Sequence, residues 1–123
     1  MNTQTRKILM ALTGLFLCFF LLIHFLGNTQ LFLAPAEAQE NFNAYSSFLT
    51  GNALVKGVSY VLYLSIILHA VYAAVITWKN RKSGGSYALD RRARGSKWYS
   101  RSMGILGTIV LLFLVLHFQN FWY

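Results

Sequence analysis

Three long apolar runs constrain this chain more than any other feature. They lie at about residues 8–26, 58–78 and 102–120. Crossing roughly 30 Å of hydrocarbon takes about 20 apolar residues in a helix. A soluble domain of 123 residues would alternate apolar and polar positions; here 56% of the residues are hydrophobic and they cluster. The expected fold is an all-α membrane protein, a single membrane domain over 1–123 with three transmembrane helices. The first run follows Arg6 and Lys7, as the core of a signal peptide would. It is too long for that role and no small-residue cleavage site follows it, so a retained helix is expected.

The charge pattern supplies an orientation. The net charge is +8, from 11 Lys+Arg against 3 Asp+Glu. A basic balance is one mark of nucleic-acid binding, but these charges gather at the ends of the apolar runs, and no nucleic acid is expected as a partner. The lead before the first run carries Arg6 and Lys7, and the segment 27–57 carries Lys56 alone. The loop 79–101 carries Lys79, Arg81, Lys82, Arg91, Arg92, Arg94, Lys97 and Arg101, around the flexible turn Ser83-Gly84-Gly85-Ser86. The positive-inside rule then puts the N-terminus and the basic loop in the cytoplasm. The expectation is a multi-pass protein of the inner (cytoplasmic) membrane. Docking of soluble subunits or of anionic lipid headgroups is a second reading of the basic loop, although topogenic charge explains it without either.

The outer loop has its own pattern. Gly27, Asn28 and Pro35 break the first helix. Within 36–49, Phe42, Tyr45 and Leu49 recur at helical spacing against Glu37, Gln39, Glu40 and Ser46, which predicts an amphipathic segment in the membrane interface. Gly51 and Asn52 would end it. Cys18 is the only cysteine, so no intrachain disulfide forms, and its mid-helix place suggests packing. Trp122 and Tyr123 suit an interfacial belt.

Each apolar run carries one histidine: His24, His69 and His117, the only three in the chain. An ionisable side chain at membrane depth is costly and marks a candidate site. Their depths follow from the helical rise. His24 lies 17 residues beyond Lys7 and His117 lies 16 beyond Arg101, roughly 25 Å and 24 Å from the inner boundary. His69 lies 10 residues before Lys79, roughly 15 Å from it. Two histidines at one depth and a third deeper inside argue against one three-histidine metal site. They suit a planar macrocycle gripped on both faces by imidazole, as in bis-histidine haem ligation. Gly14, Gly104 and Gly107 are candidates to make room for such a ring.

The first and third runs also match each other. Gly14, Phe20, Leu21, His24 and Phe25 share their spacing with Gly107, Phe113, Leu114, His117 and Phe118. Two alternatives to haem stay open at this point. Intramembrane histidines also serve proton or ion relays, and they also hydrogen-bond neighbouring helices structurally.

Several motifs carry a family resemblance. Thr13-Gly14-Leu15-Phe16-Leu17, then His24 and Gly27-Asn28, resembles the first helix of the diheme cytochrome b membrane anchor of succinate dehydrogenases and fumarate reductases. Phe42-Asn43-Ala44-Tyr45 resembles its first external loop, and His69-Ala70 its second helix. Trp98-Tyr99-Ser100-Arg101-Ser102-Met103 leading to His117 resembles its third. The resemblance runs along essentially the whole chain.

That resemblance implies a five-helix bundle with two b haems. It implies a flavoprotein subunit and an iron–sulfur subunit on the inner face, and electron transfer between succinate or fumarate and a quinone, usually menaquinone. By position, His24 and His117 resemble the axial pair of the distal haem iron, and His69 a ligand of the proximal one. Haem propionates want donors or cations, so Trp98 and Arg101 are candidates to hold them; interfacial anchoring and topogenic charge are their plainer roles. Glu37 and Glu40 are candidates for proton transfer at a quinone, or simply solvated acids. Asp90 suits a solvated partner for neighbouring arginines. This chain ends after the third span, so helices four and five and a fourth histidine would come from sequence not shown or from another chain, or the protein would be a shortened form with one complete site. The resemblance implies a chain without the dicarboxylate site, which needs a flavin-bearing partner, so that it would be a subunit of an enzyme complex. A haem-free proton- or ion-translocating subunit and a purely structural anchor are the competing functions.

Overall fold

The computed structural model describes residues 2–83, 98 and 102–122. Among them every regular element is helical. In chain order these are α1 (Thr3–Asn28), a 3-10 turn (Thr29–Phe32), α2 (Pro35–Gly51), α3 (Ala53–Ser83) and α4 (Met103–Trp122). Three of the helices are long and apolar enough to cross a membrane, with mean hydropathies of 2.5, 1.9 and 1.8 over their most apolar windows. The chain is an all-α, multi-pass membrane protein.

The helices exceed the apolar runs at their ends. α1 begins at Thr3, where the Asn2 side chain accepts a hydrogen bond from the Gln4 N–H at 2.6 Å. α3 begins at Ala53, five residues before the apolar run at 58, so Lys56 and Gly57 lie inside the helix. The reason is local: Asn52 Oδ1 accepts from the N–H groups of Leu54 and Val55 at 2.9 and 3.3 Å, satisfying donors that a helix start leaves unpaired. Hydropathy marks what suits lipid, whereas capping decides where a helix starts.

The end of α1 is held by three consecutive polar side chains. Asn28 Nδ2 donates to the His24 carbonyl at 2.6 Å, Thr29 Oγ1 to Leu26 at 2.6 Å, and Gln30 Nε2 to Gly27 at 3.1 Å. The last four carbonyls of a helix have no i+4 partner within it, and those of Leu26 and Gly27 are two of them; the Asn28 side chain adds a second donor to the His24 carbonyl, one turn earlier. The 3-10 turn follows, and Pro35 then opens α2 at the position where its missing N–H costs nothing.

α2 folds back against the 3-10 turn and the end of α1. Ala38 is buried, and Phe42, Tyr45 and Leu49 are half-buried on the same helical face. Glu37, Gln39 and Glu40 are exposed. Gly27 permits the approach. A Cβ at that position would fall 2.5 Å from the Tyr45 hydroxyl and 2.9 Å from ring carbons Cε1 and Cζ.

The chain divides into two units, Met1–His69 and Ala70–Tyr123. Among the described residues only Ala38 and Leu62 are buried hydrophobics. The large apolar side chains of α1, α3 and α4 mostly face outward: Leu15, Phe19, Leu22, Ile67, Leu112 and Leu116 are all exposed. Such surface needs lipid or further protein around it. In the second unit, Gly104 of α4 lies against Thr77 of α3, where an added Cβ would meet Thr77 Cγ2 at 3.4 Å. The end of α3 carries Lys82 Nζ 4.0 Å above the Trp78 ring, a cation–π contact in its last turns.

Candidate functional site

His69 is the best-defined of the three histidines. It is half-buried in the middle of α3, and its Nδ1 lies 2.9 Å from Thr13 Oγ1 of α1. Thr13 Oγ1 also lies 2.7 Å from the Leu9 carbonyl and 3.2 Å from that of Met10. A helical threonine commonly turns its hydroxyl back to the carbonyl four residues earlier. Gly14 sits beside it, and a Cβ there would approach His69 Cε1 to 3.2 Å and Nδ1 to 3.9 Å. The imidazole therefore lies with its Nδ1–Cε1 edge against α1 at Thr13-Gly14.

Gly14 thus makes room for His69. At its sequence counterpart Gly107 a Cβ would meet nothing within 4 Å among the described residues. Gly104 meets Thr77. The space expected at these three glycines is filled by a histidine in the first case and a threonine in the last.

His24 and His117 share a different setting. His24 is exposed on α1 and stacks on Phe20, with ring centroids 5.2 Å apart and an interplanar angle of 25°. His117 is half-buried on α4 and stacks on Phe113 at 5.4 Å and 21°. In both cases the phenylalanine stands four residues earlier, so the pair lies on one helix face. Phe118 and Phe121 add tilted contacts to His117 at 6.2 and 4.8 Å. The matched spacing in the sequence becomes matched local geometry.

The other candidate residues divide clearly. Glu37, in the first turn of α2, and Glu40 are exposed. Glu37 there complements the positive end of the helix dipole, which suits a solvated acid. Trp98 is exposed, and its carbonyl accepts from the Ser102 N–H at 3.0 Å before α4 begins. Arg101, Asp90 and the basic residues Arg91, Arg92, Arg94 and Lys97 lie outside the described residues, as does Tyr123. Cys18 is exposed on α1.

Among the described residues no three His, Cys, Asp or Glu side chains come together as a metal site. The donors suit haem in kind. Neutral imidazole nitrogen is a haem-iron ligand, and His24, His69 and His117 are the donors of that kind. Sequence reasoning singled out the histidines, put Tyr45 on the apolar face of α2 and Asn52 at its end, but did not find Thr13 as a partner of His69 or Asn52 as the cap of α3. The one signal for Thr13 was a hydroxyl beside a glycine inside an otherwise apolar run.

Comparison with protein families, curated proteins and solved structures finds no match to this chain.

Proposed function

We propose that this chain is a cytochrome b membrane anchor, a subunit that carries electrons between an iron–sulfur partner and a membrane quinone. The observation that carries it is one histidine in each bilayer-length helix, with His24 and His117 in matching Phe-stacked settings. Their equal depth from the basic helix ends, roughly 25 Å at 1.5 Å per residue, suits one haem held between two imidazoles. His69, roughly 10 Å nearer the basic side, suits a second haem. Haem, when bound, supplies a reversible one-electron couple. His24, His69 and His117 would hold it through imidazole nitrogen.

The resemblance to the diheme anchors of succinate dehydrogenases and fumarate reductases supports the same conclusion. On it, the N-terminus and the basic loop face the cytoplasm, with flavoprotein and iron–sulfur subunits docked there. The quinone, menaquinone in most of that family, would lie on the path. Trp98 and Arg101 would hold propionates at the basic side, and Glu37 and Glu40 would serve proton transfer at the other.

The test is a dithionite-reduced minus oxidised spectrum of the purified protein, with haem counted per chain. A b-type band near two haems per chain supports the diheme anchor, with a fourth ligand from outside these 123 residues. One haem per chain supports a single His24/His117 site. No band overturns the proposal and leaves a histidine relay or a structural anchor.

A further inference from the structure

The contact between Thr13 and His69 joins two membrane helices by one polar atom pair, and its protons can be assigned. Thr13 Oγ1 carries a single proton. The Leu9 carbonyl stands 2.7 Å from it and the Met10 carbonyl 3.2 Å, both on the hydroxyl's own helix. If that proton were given to His69, the hydroxyl lone pairs would face two carbonyl oxygens. Donating to Leu9 avoids this, and the hydroxyl then meets Nδ1, 2.9 Å away, as an acceptor. An acceptor there requires a proton on Nδ1. In a neutral imidazole the lone pair then resides on Nε2.

We propose that Thr13 is a positioning residue that holds His69 as its Nδ1-protonated tautomer and presents Nε2 as the metal-ligating nitrogen. Gly14 completes the arrangement by letting the Nδ1–Cε1 edge lie against α1; a Cβ would already press Cε1 at 3.2 Å. The hydrogen bond between Thr13 and His69 is the only one His69 makes among the described residues, so one hydroxyl sets both tautomer and ring orientation. Metal-bound histidines generally have their second nitrogen fixed in this way, and the partner raises ligand basicity. The ligand role rests on the haem proposal above, whereas the tautomer assignment does not.

The two parts separate experimentally. The full chain, labelled with ring-15N histidine, is reconstituted haem-free in phosphatidylcholine vesicles. The His69 resonances are assigned by their loss in His69→Gln. The expected spectrum has Nδ1 protonated and Nε2 bare. Thr13→Val, which keeps the shape and removes the hydroxyl, converts this to a tautomer mixture, and Thr13→Ser restores it. A proton on Nε2 in the wild-type chain, or a Thr13→Val spectrum identical to wild type, overturns the assignment. After haem is added, Thr13→Val weakens binding at His69 by about 10–100-fold and Thr13→Ser does not. The midpoint potential of that haem rises in Thr13→Val, because the less basic ligand favours the ferric state less. Equal affinity and potential in all three proteins overturn the positioning role. A wild-type chain with Nδ1 protonated but no haem band supports the tautomer and overturns only the haem proposal.

Discussion

The Tyr45 hydroxyl rests against the backbone of Gly27, so closely that a single added carbon on Gly27 would fall 2.5 Å from it. This contact seats α2 on the end of α1. Gly27→Ala should therefore displace Tyr45 and loosen α2. Overpacking of this kind costs about 1–3 kcal/mol. Limited proteolysis within 35–51 of the vesicle-bound protein should speed up in Gly27→Ala. Tyr45→Ala removes the clash, so adding it to Gly27→Ala should cost less than the sum of the two single changes.

The two glycines that match in sequence should respond differently to alanine. Gly14→Ala presses on His69 Cε1 at 3.2 Å and should perturb the His69 ring resonances. Gly107→Ala meets nothing within 4 Å among the described residues and should leave His117 unchanged, while gaining roughly 0.5–1 kcal/mol of helix stability. Ring-15N spectra and detergent unfolding of both variants test this. Equal perturbation at His69 and His117 would show the two sites to be equivalent after all.

The haem proposal makes a residue-specific prediction. Removing either member of the His24/His117 pair, as His24→Ala or His117→Ala, should abolish the same b-type component. His69→Ala should remove a different one. Cys18→Ser should leave both, since Cys18 is exposed and contributes no ligand. Reduced-minus-oxidised spectra at low temperature, where b components resolve, supply the measurement.

Asn52 caps α3 through two backbone donors, at 2.9 and 3.3 Å. Asn52→Ala should cost about 0.5–2 kcal/mol and fray the first turn, whereas Asn52→Asp should retain most of the cap. Hydrogen exchange at Leu54 and Val55 should accelerate in the alanine variant alone.

Composition and run length were enough to give the membrane class and the number of helices, because hydrocarbon thickness dictates how many apolar residues a helix needs. The face of α2 was also legible. Phe42, Tyr45 and Leu49 lie inward and Glu37, Gln39 and Glu40 outward, as helical periodicity separates them, whereas Ser46, expected on the polar face, is half-buried beside Tyr45. The Phe–His stacking could be anticipated in the same way, because residues four apart share a helix face whatever surrounds them. Helix starts were less legible: α3 opens at Ala53 because an asparagine side chain caps it, a local hydrogen bond that hydropathy does not register.

What only the tertiary structure decided were the pairings between helices. The sequence determined that His69 is intramembrane; it gave no means of finding that Thr13, 56 positions away, meets its Nδ1. Nor did it distinguish Gly14, which accommodates that ring, from Gly107, which accommodates nothing among the described residues. Apolar patterning marks a helix as suited to lipid but hardly specifies rotation, because almost every face is apolar. Rotation is set where a polar atom must find a partner or a small residue must admit a ring, and those contacts exist only once the helices are side by side.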